Sequence, residues 1–270
     1  MDLRYNQEVA KYGKKDGIVA LCLFLFYCLW SVGFALIVRA FNDTLTGLQL
    51  QIVGIFLSIL LIAVVVVMIF IKKQGFSSIG LHREKLGSAT RLGIMFALIP
   101  LIIAGLLPGI MYGWELVSIG LMVYFLFYRL VLASAEDIVF VGFIQTRLYG
   151  LFKSDKQAIG VGAALFSLGH VPAWLLMGNL DLDNLLFLMI FIIFWAVMHW
   201  VSVCLFRKYF SLVPVIILHT ISNFSQTSLW VLTDENREYA EWWAMVAMIA
   251  IIIAVCVWNW YTGRSKKVAE

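Results

Sequence analysis

A chain of 270 residues that is 63% hydrophobic and 13% charged, with a mean hydropathy of +0.94, carries more apolar surface than a soluble core can bury. A soluble globular protein is therefore excluded. The formal net charge of +4 does not mark a nucleic-acid binder either, because Lys and Arg are distributed by loop rather than gathered in a patch. Cys22, Cys28, Cys204 and Cys256 all fall inside apolar runs with no CxxC or Cys/His spacing, so they read as small packing residues rather than disulfide or metal cysteines.

Residues 1–16 form a polar leader, and residues 17–38 are too long and too continuously apolar for a cleaved signal peptide, so they read as a retained first span. Further apolar runs lie at 47–71, 92–112, 116–135, 157–177, 184–206, 210–230 and 241–261, each near the ~20 residues that cross a hydrocarbon core. The expectation is an all-α polytopic membrane protein of about eight spans, a single integral-membrane domain over 1–270. The fourth span is expected to continue as helix through an acidic motif toward Tyr149.

The connecting segments set the orientation. Arg4, Lys11, Lys14 and Lys15 precede span 1, and Lys72, Lys73, Arg83, Lys85 and Arg91 lie between spans 2 and 3. Arg147, Lys153 and Lys156 follow span 4, Arg207 and Lys208 follow span 6, and Arg264, Lys266 and Lys267 follow span 8. The alternate loops hold Arg39 and Arg237 against Asp43, Glu115, Asp181, Asp183, Asp234, Glu235, Glu238 and Glu241. Since cytoplasmic loops retain Lys and Arg, both termini are expected in the cytoplasm. His82, in the long 72–91 connector, reads as a solvated loop residue. Trp114, Trp230, Trp258 and Trp260, near span ends, read as interfacial anchors.

Against this apolar background, Glu136 and Asp137 stand side by side at the end of span 4. Intramembrane carboxylates are costly and mark functional sites by default. On helical rise, His170 lies roughly 20 Å into span 5, while His219 and Asn223 lie about 13 and 20 Å into span 7. These four are expected to meet in the cytoplasmic half. His219 and Asn223 are spaced i, i+4, as are Phe166 and His170, so each pair shares a helix face, with Phe166 beneath His170. His199, flanked by aromatics, reads as a packing residue. Arg129 stands seven residues before Glu136, on the same face, and reads either as snorkelling to an interface or as compensating the acids.

At these residues the sequence resembles the CPBP intramembrane proteases, the CAAX protease and bacteriocin-processing (ABI) family. The family signature is Glu-Glu-x-x-x-Arg, Phe-x-x-x-His and His-x-x-x-Asn/Asp on successive core helices. Here these read EDIVFV, FSLGH (Phe166 to His170) and HTISN (His219 to Asn223). FVGFIQTRL and SLVPVIILH also look like family text, and the likeness covers about 120–225. The resemblance implies that Glu136 and His170 activate a water for attack on a peptide carbonyl. It implies that His219 and Asn223 stabilise the oxyanion, with Asp137 and Phe166 in support, while Arg129 is added as a supporting residue on its position two turns before Glu136 alone. A zinc version would use Glu136, His170 and His219. Because asparagine is a poor zinc ligand, the metal-free version is preferred to the zinc one.

Two departures accompany the likeness: the second acid is Asp137 and the arginine is Val141. At i, i+4 those positions would form a helical ion pair. A carboxylate that loses that arginine must reach water or take a proton. Arg147, ten residues on and roughly 15 Å along a helix, is too distant to stand in.

The expected function is an intramembrane endopeptidase acting near the cytoplasmic face on a peptide or membrane-protein substrate. The alternative is a catalytically impaired relative that acts as a membrane scaffold for a membrane-protein partner. A transporter is disfavoured, because the polar groups cluster and no inverted repeat is visible. A lipid bilayer, and no nucleic acid, is the expected surrounding. The short, tail-free chain resembles bacterial members, so a bacterial cytoplasmic membrane is expected.

Overall fold

The computed structural model describes residues 2–42, 44–178, 185–231 and 233–267. Asp43, Asp181 and Asp183, used above for topology, lie outside the described residues. Among those described, all regular elements are helical, and the one β feature is an isolated antiparallel bridge between Leu116 and Trp230. In chain order the helices are α1 (Leu3–Val9), α2 (Lys14–Phe41), α3 (Gly47–Ile71), α4 (Leu86–Pro100), α5 (Leu107–Tyr112), α6 (Ile119–Asp137), α7 (Gln145–Leu148), α8 (Asp155–Leu176), α9 (Leu185–Tyr209), α10 (Val213–Thr227) and α11 (Asp234–Lys267).

Two joins are wound as π-helix. Leu101–Leu106 links α4 to α5, and Ile138–Ile144 links α6 to α7. Each pair therefore forms one long rod, and the helix does run through the acidic motif as expected.

Among the described residues, seven helical segments are long and apolar enough to cross a bilayer: Lys14–Phe41, Gly47–Ile71, Leu86–Tyr112, Ile119–Leu148, Asp155–Leu176, Leu188–Tyr209 and Glu238–Thr262. The one other expected span, the seventh at 210–230, corresponds to α10, which is shorter than the apolar run around it. Its 15 residues rise only about 22 Å, against ~30 Å of hydrocarbon. Both ends are cut back by backbone geometry. Phe210 adopts a left-handed φ of 49° before the helix. After it, the backbone extends so that Val117 N–H donates to Leu229 O and Val231 N–H donates to Glu115 O. Elsewhere the outer faces of the long helices, with Leu25, Leu29, Phe56 and Phe70 strongly exposed, have the apolar character that hydrocarbon accepts.

By their internal contacts the residues fall into two compact units, Met1–Leu86 with Ser134–Leu212, and Gly87–Ala133 with Val213–Glu270. The first unit is built around Arg147, whose side chain is 1% exposed. Its Nη1 donates to Ser78 O (3.1 Å), Gly142 O (3.2 Å) and Thr146 Oγ1 (2.7 Å), and its Nη2 to Gln74 Oε1 (2.5 Å) and Ser78 Oγ (3.1 Å). The guanidinium also lies 4.6 Å from the Tyr12 ring centroid and 4.2 Å from that of Phe143. A buried cation surrounded by oriented dipoles and ring faces in this way ties the 72–80 connector to α7.

The amino-terminal helix docks on the same unit. Tyr5 meets Tyr149, Phe206 and Phe210 edge-on at 5.8–5.9 Å. Asp2, bonded by Arg4 and paired to Lys85 at 3.2 Å, has its carboxyl held well below the usual carboxylate range, first by the Arg4 guanidinium. His82 departs from the solvated-loop expectation. It is half-buried, and its Nε2–H donates to the Phe210 carbonyl at 2.7 Å, because the turn at Phe210 aims that carbonyl back toward the connector.

In the second unit, Trp230 is an internal strut rather than a simple interfacial anchor. Its Nε1–H donates to Gly105 O at 2.6 Å, and its ring fills the space that a Cβ on Gly109 would occupy. Trp258 likewise packs edge-on against Phe96, with centroids 5.7 Å apart. No disulfide joins the cysteines, all four of which are among the described residues, and the exposure of Cys22 and Cys256 corrects the reading of those two as packing residues. Their helical positions face outward rather than into the units.

Replacing Arg147 by Met removes five donor contacts and leaves buried acceptors behind, so Arg147→Met is expected to cost roughly 2–4 kcal/mol, measurable as a lowered thermal midpoint in detergent. The loop charges predict topology: thiol labelling of Ser77→Cys from the cytoplasm and of Thr233→Cys from the opposite face, with a carboxy-terminal reporter in the cytoplasm. A carboxy-terminal reporter on the far side would mean that α10 does not complete a crossing.

Candidate functional site

The end of α6 separates the two adjacent acids by their environment. Glu136 keeps 27% of its side chain exposed, whereas Asp137 is 1% exposed. Burial closes the route to bulk water that the sequence left open for Asp137. Val141 is also 1% exposed and lies in the π-wound stretch, where the α-helical i, i+4 register used to reason about its pairing does not continue. An arginine there would have to be accommodated inside packed protein.

Opposite Glu136, α8 supplies His170, with its Nε2 3.7 Å from Glu136 Oε2. The other ring nitrogen is committed, because Nδ1 lies 2.8 Å from the Phe166 carbonyl, which can only accept. Nδ1 therefore carries a proton, and Nε2 is the ring nitrogen that faces the carboxyl. The 3.7 Å separation is longer than a direct hydrogen bond, and one water bonded to both groups would link them.

The imidazole is held by rings as well. Phe166 lies beneath it with centroids 4.7 Å apart, as its spacing predicted. Trp195 of α9, which sequence reasoning did not single out, stacks flat on it at 4.5 Å with an interplanar angle of 8°. Phe140 bridges Phe166 and Tyr27 edge-on at 5.0 and 4.6 Å, and Tyr27 from α2 stands 6.5 Å from the imidazole.

His199 lies one turn beyond Trp195 and is a packing residue as expected, 1% exposed with its ring 5.2 Å from Phe166. It also has a polar contact, 3.0 Å from Nε2 to Gln145 Oε1. The i, i+4 spacing of Trp195 and His199 was the available signal for Trp195, since it puts both on one face of α9. Gly162 makes room for this arrangement: a Cβ there would run into Gln145 Oε1 and come within 3.0 Å of His199 Nε2.

The remaining residues lie in the other unit. His219 and Asn223 are both half-buried on α10, one turn apart. Arg129, on α6, donates from Nη2 to Thr227 Oγ1 at 2.6 Å and from Nε to Ser228 Oγ at 3.3 Å. These bonds tie it to the end of α10, a destination that neither snorkelling nor compensation of the acids anticipated. Among the described residues, no group of three or more His, Cys, Asp and Glu side chains is placed to hold a metal ion.

These features define a polytopic helical membrane protein with a glutamate–histidine pair set among its spans. Residues 118–225 match the model of the family described as Type II CAAX prenyl endopeptidase Rce1-like, in agreement with the CAAX protease resemblance carried by the motifs. The matched segment is less than half of the chain and contains Arg129, Glu136, Asp137, Phe166, His170, His219 and Asn223. Comparison with the curated proteins and with the solved structures returned no match.

Because Gln145 is fully buried and bonded to His199, it cannot swing aside without losing that contact. Gly162→Ala is expected to lower stability by roughly 1–3 kcal/mol, read as a fall in the thermal midpoint. An unchanged midpoint would show that the Gln145–His199 contact between α7 and α9 does not depend on the gap that Gly162 leaves in α8.

Proposed function

We propose that the protein is an intramembrane endopeptidase of the CAAX type that hydrolyses a peptide bond in a peptide or membrane-protein substrate near the cytoplasmic face. The observation that carries this reading is the placement of His170 Nε2 3.7 Å from Glu136 Oε2, with Nδ1 bonded to the Phe166 carbonyl. A carboxylate and an imidazole nitrogen this close can both reach a single water lying beside them, which suits them to holding a nucleophilic water. The family match over 118–225 supports the same reaction class.

In this mechanism Glu136 takes a proton from the water as its oxygen attacks the substrate carbonyl carbon. His170 orients the water through its second hydrogen. His219 and Asn223 donate hydrogen bonds to the oxyanion as it forms, where low dielectric makes each bond count for more than in water. The proton held by Glu136 then passes to the leaving amine as the C–N bond breaks, giving a new carboxyl end and a free amine. No metal takes part in this reading.

Glu136→Gln retains shape and hydrogen bonding but removes the proton acceptor. Turnover of a peptide library or a membrane proteome by purified protein should fall by about 10²–10⁴, while the protein still accumulates in the membrane. His170→Ala should fall similarly, and a chelator should leave the wild-type rate unchanged. Chelator-sensitive turnover restored by zinc would replace the metal-free mechanism. Full rescue of a gene-deletion phenotype by both variants would show that the protein acts by binding, as the Val141 departure from the family pattern suggests for a scaffold.

A further inference from the structure

α10 is short, and its polar face repeats every four residues: His219, Asn223 and then Thr227. Residues at i, i+4 and i+8 drift only about 40° per step around a helix, so whatever grips Thr227 also sets the direction of the two side chains above it. The grip comes from Arg129. Its Nη2 donates to Thr227 Oγ1 at 2.6 Å and its Nε to Ser228 Oγ at 3.3 Å. The Thr227 hydroxyl in turn lies 2.8 Å from the Asn223 carbonyl.

The sense of each bond follows from valence. A carbonyl only accepts, so the single Thr227 hydroxyl proton is spent on Asn223 O, and its lone pairs are left for Arg129 and for Ser228 Oγ at 3.2 Å. The result is a directional relay from guanidinium to hydroxyl to the backbone of Asn223. A cation at a helix carboxy-terminus is also favoured by the exposed carbonyl dipoles there. The opposite end of α10 is held by close approach, since a Cβ on Gly93 would come within 2.8 Å of Pro214 Cα.

We propose that Arg129 is the positioning residue of α10, and that its bonds to Thr227 and Ser228 fix the rotation at which this helix presents His219 and Asn223. α6 thus carries both the arginine that aims α10 and, seven residues on, the acid Glu136. The catalytic consequence rests on the endopeptidase reading, whereas the positioning itself does not.

The test uses full-length protein and reads both. For turnover, Arg129→Ala and Thr227→Val should each lower kcat by about tenfold with KM within about twofold. Thr227→Ser, which keeps the hydroxyl, should retain wild-type kcat, and Arg129→Lys should recover part of the loss. The Arg129→Ala/Thr227→Val double variant should be no slower than the worse single, because both cut one relay. Equal kcat for Thr227→Val and Thr227→Ser, or additive losses, would overturn the proposal.

The second reading needs no activity. In a protein whose four cysteines are replaced by Ala, Asn223→Cys is labelled with a membrane-permeant maleimide. The labelling rate should change severalfold when Arg129→Ala or Thr227→Val is added and should stay constant with Thr227→Ser. An unchanged rate in the first two variants would overturn the positioning role. A changed labelling rate in those variants, together with a wild-type protein that cleaves nothing, would sustain the positioning role while removing the endopeptidase reading.

Discussion

A guanidinium removed from water inside a membrane protein has to be surrounded by acceptors, and Arg147 shows how much structure follows from that requirement. Its donors reach backbone and side-chain oxygens of the 72–80 connector and of its own helical rod, while Tyr12 and Phe143 cover its faces. Severing these contacts would leave several oxygens buried without donors. The connector is therefore fastened beneath the rod that carries the acids, and the amino-terminal helix is fastened close by through Tyr5, Asp2 and Arg4. Glu136 is thus presented from a part of the molecule whose backbone is held on several sides.

The same economy of polar groups governs the Glu136–His170 pair. One imidazole nitrogen is occupied by a carbonyl of its own helix, and the ring faces are occupied by Trp195 and Phe166, so the remaining nitrogen can point only toward the carboxyl. Such confinement is preorganisation: orientation is settled before any substrate arrives. Behind it, Gln145 and His199 meet in the gap left by Gly162 of α8, joining the rod to α9 through a single polar contact. The two π-wound joins give the long rods somewhere to change register without ending, and one of them begins immediately after Asp137.

What the sequence by itself determined follows from local composition. A window of apolar residues identifies a membrane helix whatever surrounds it, so the helical class and seven long spans were legible, as was the passage of helix through the acidic motif. The i, i+4 spacings placed Phe166 under His170 and put His219 and Asn223 on one helical face. The motifs around these residues carried the family resemblance.

Tertiary structure decided where each polar group found its partner. Arg147 went to Ser78 and Gln74, Arg129 to Thr227 and Ser228, and His82 to Phe210, all across long stretches of chain. It also shortened α10, turned Trp230 inward and laid Trp195 on His170. The reason is physical. Hydropathy and helical periodicity are sums over neighbouring residues, whereas the partner of a buried donor and the stacking of a ring depend on which distant segments the packed chain brings within a few ångströms.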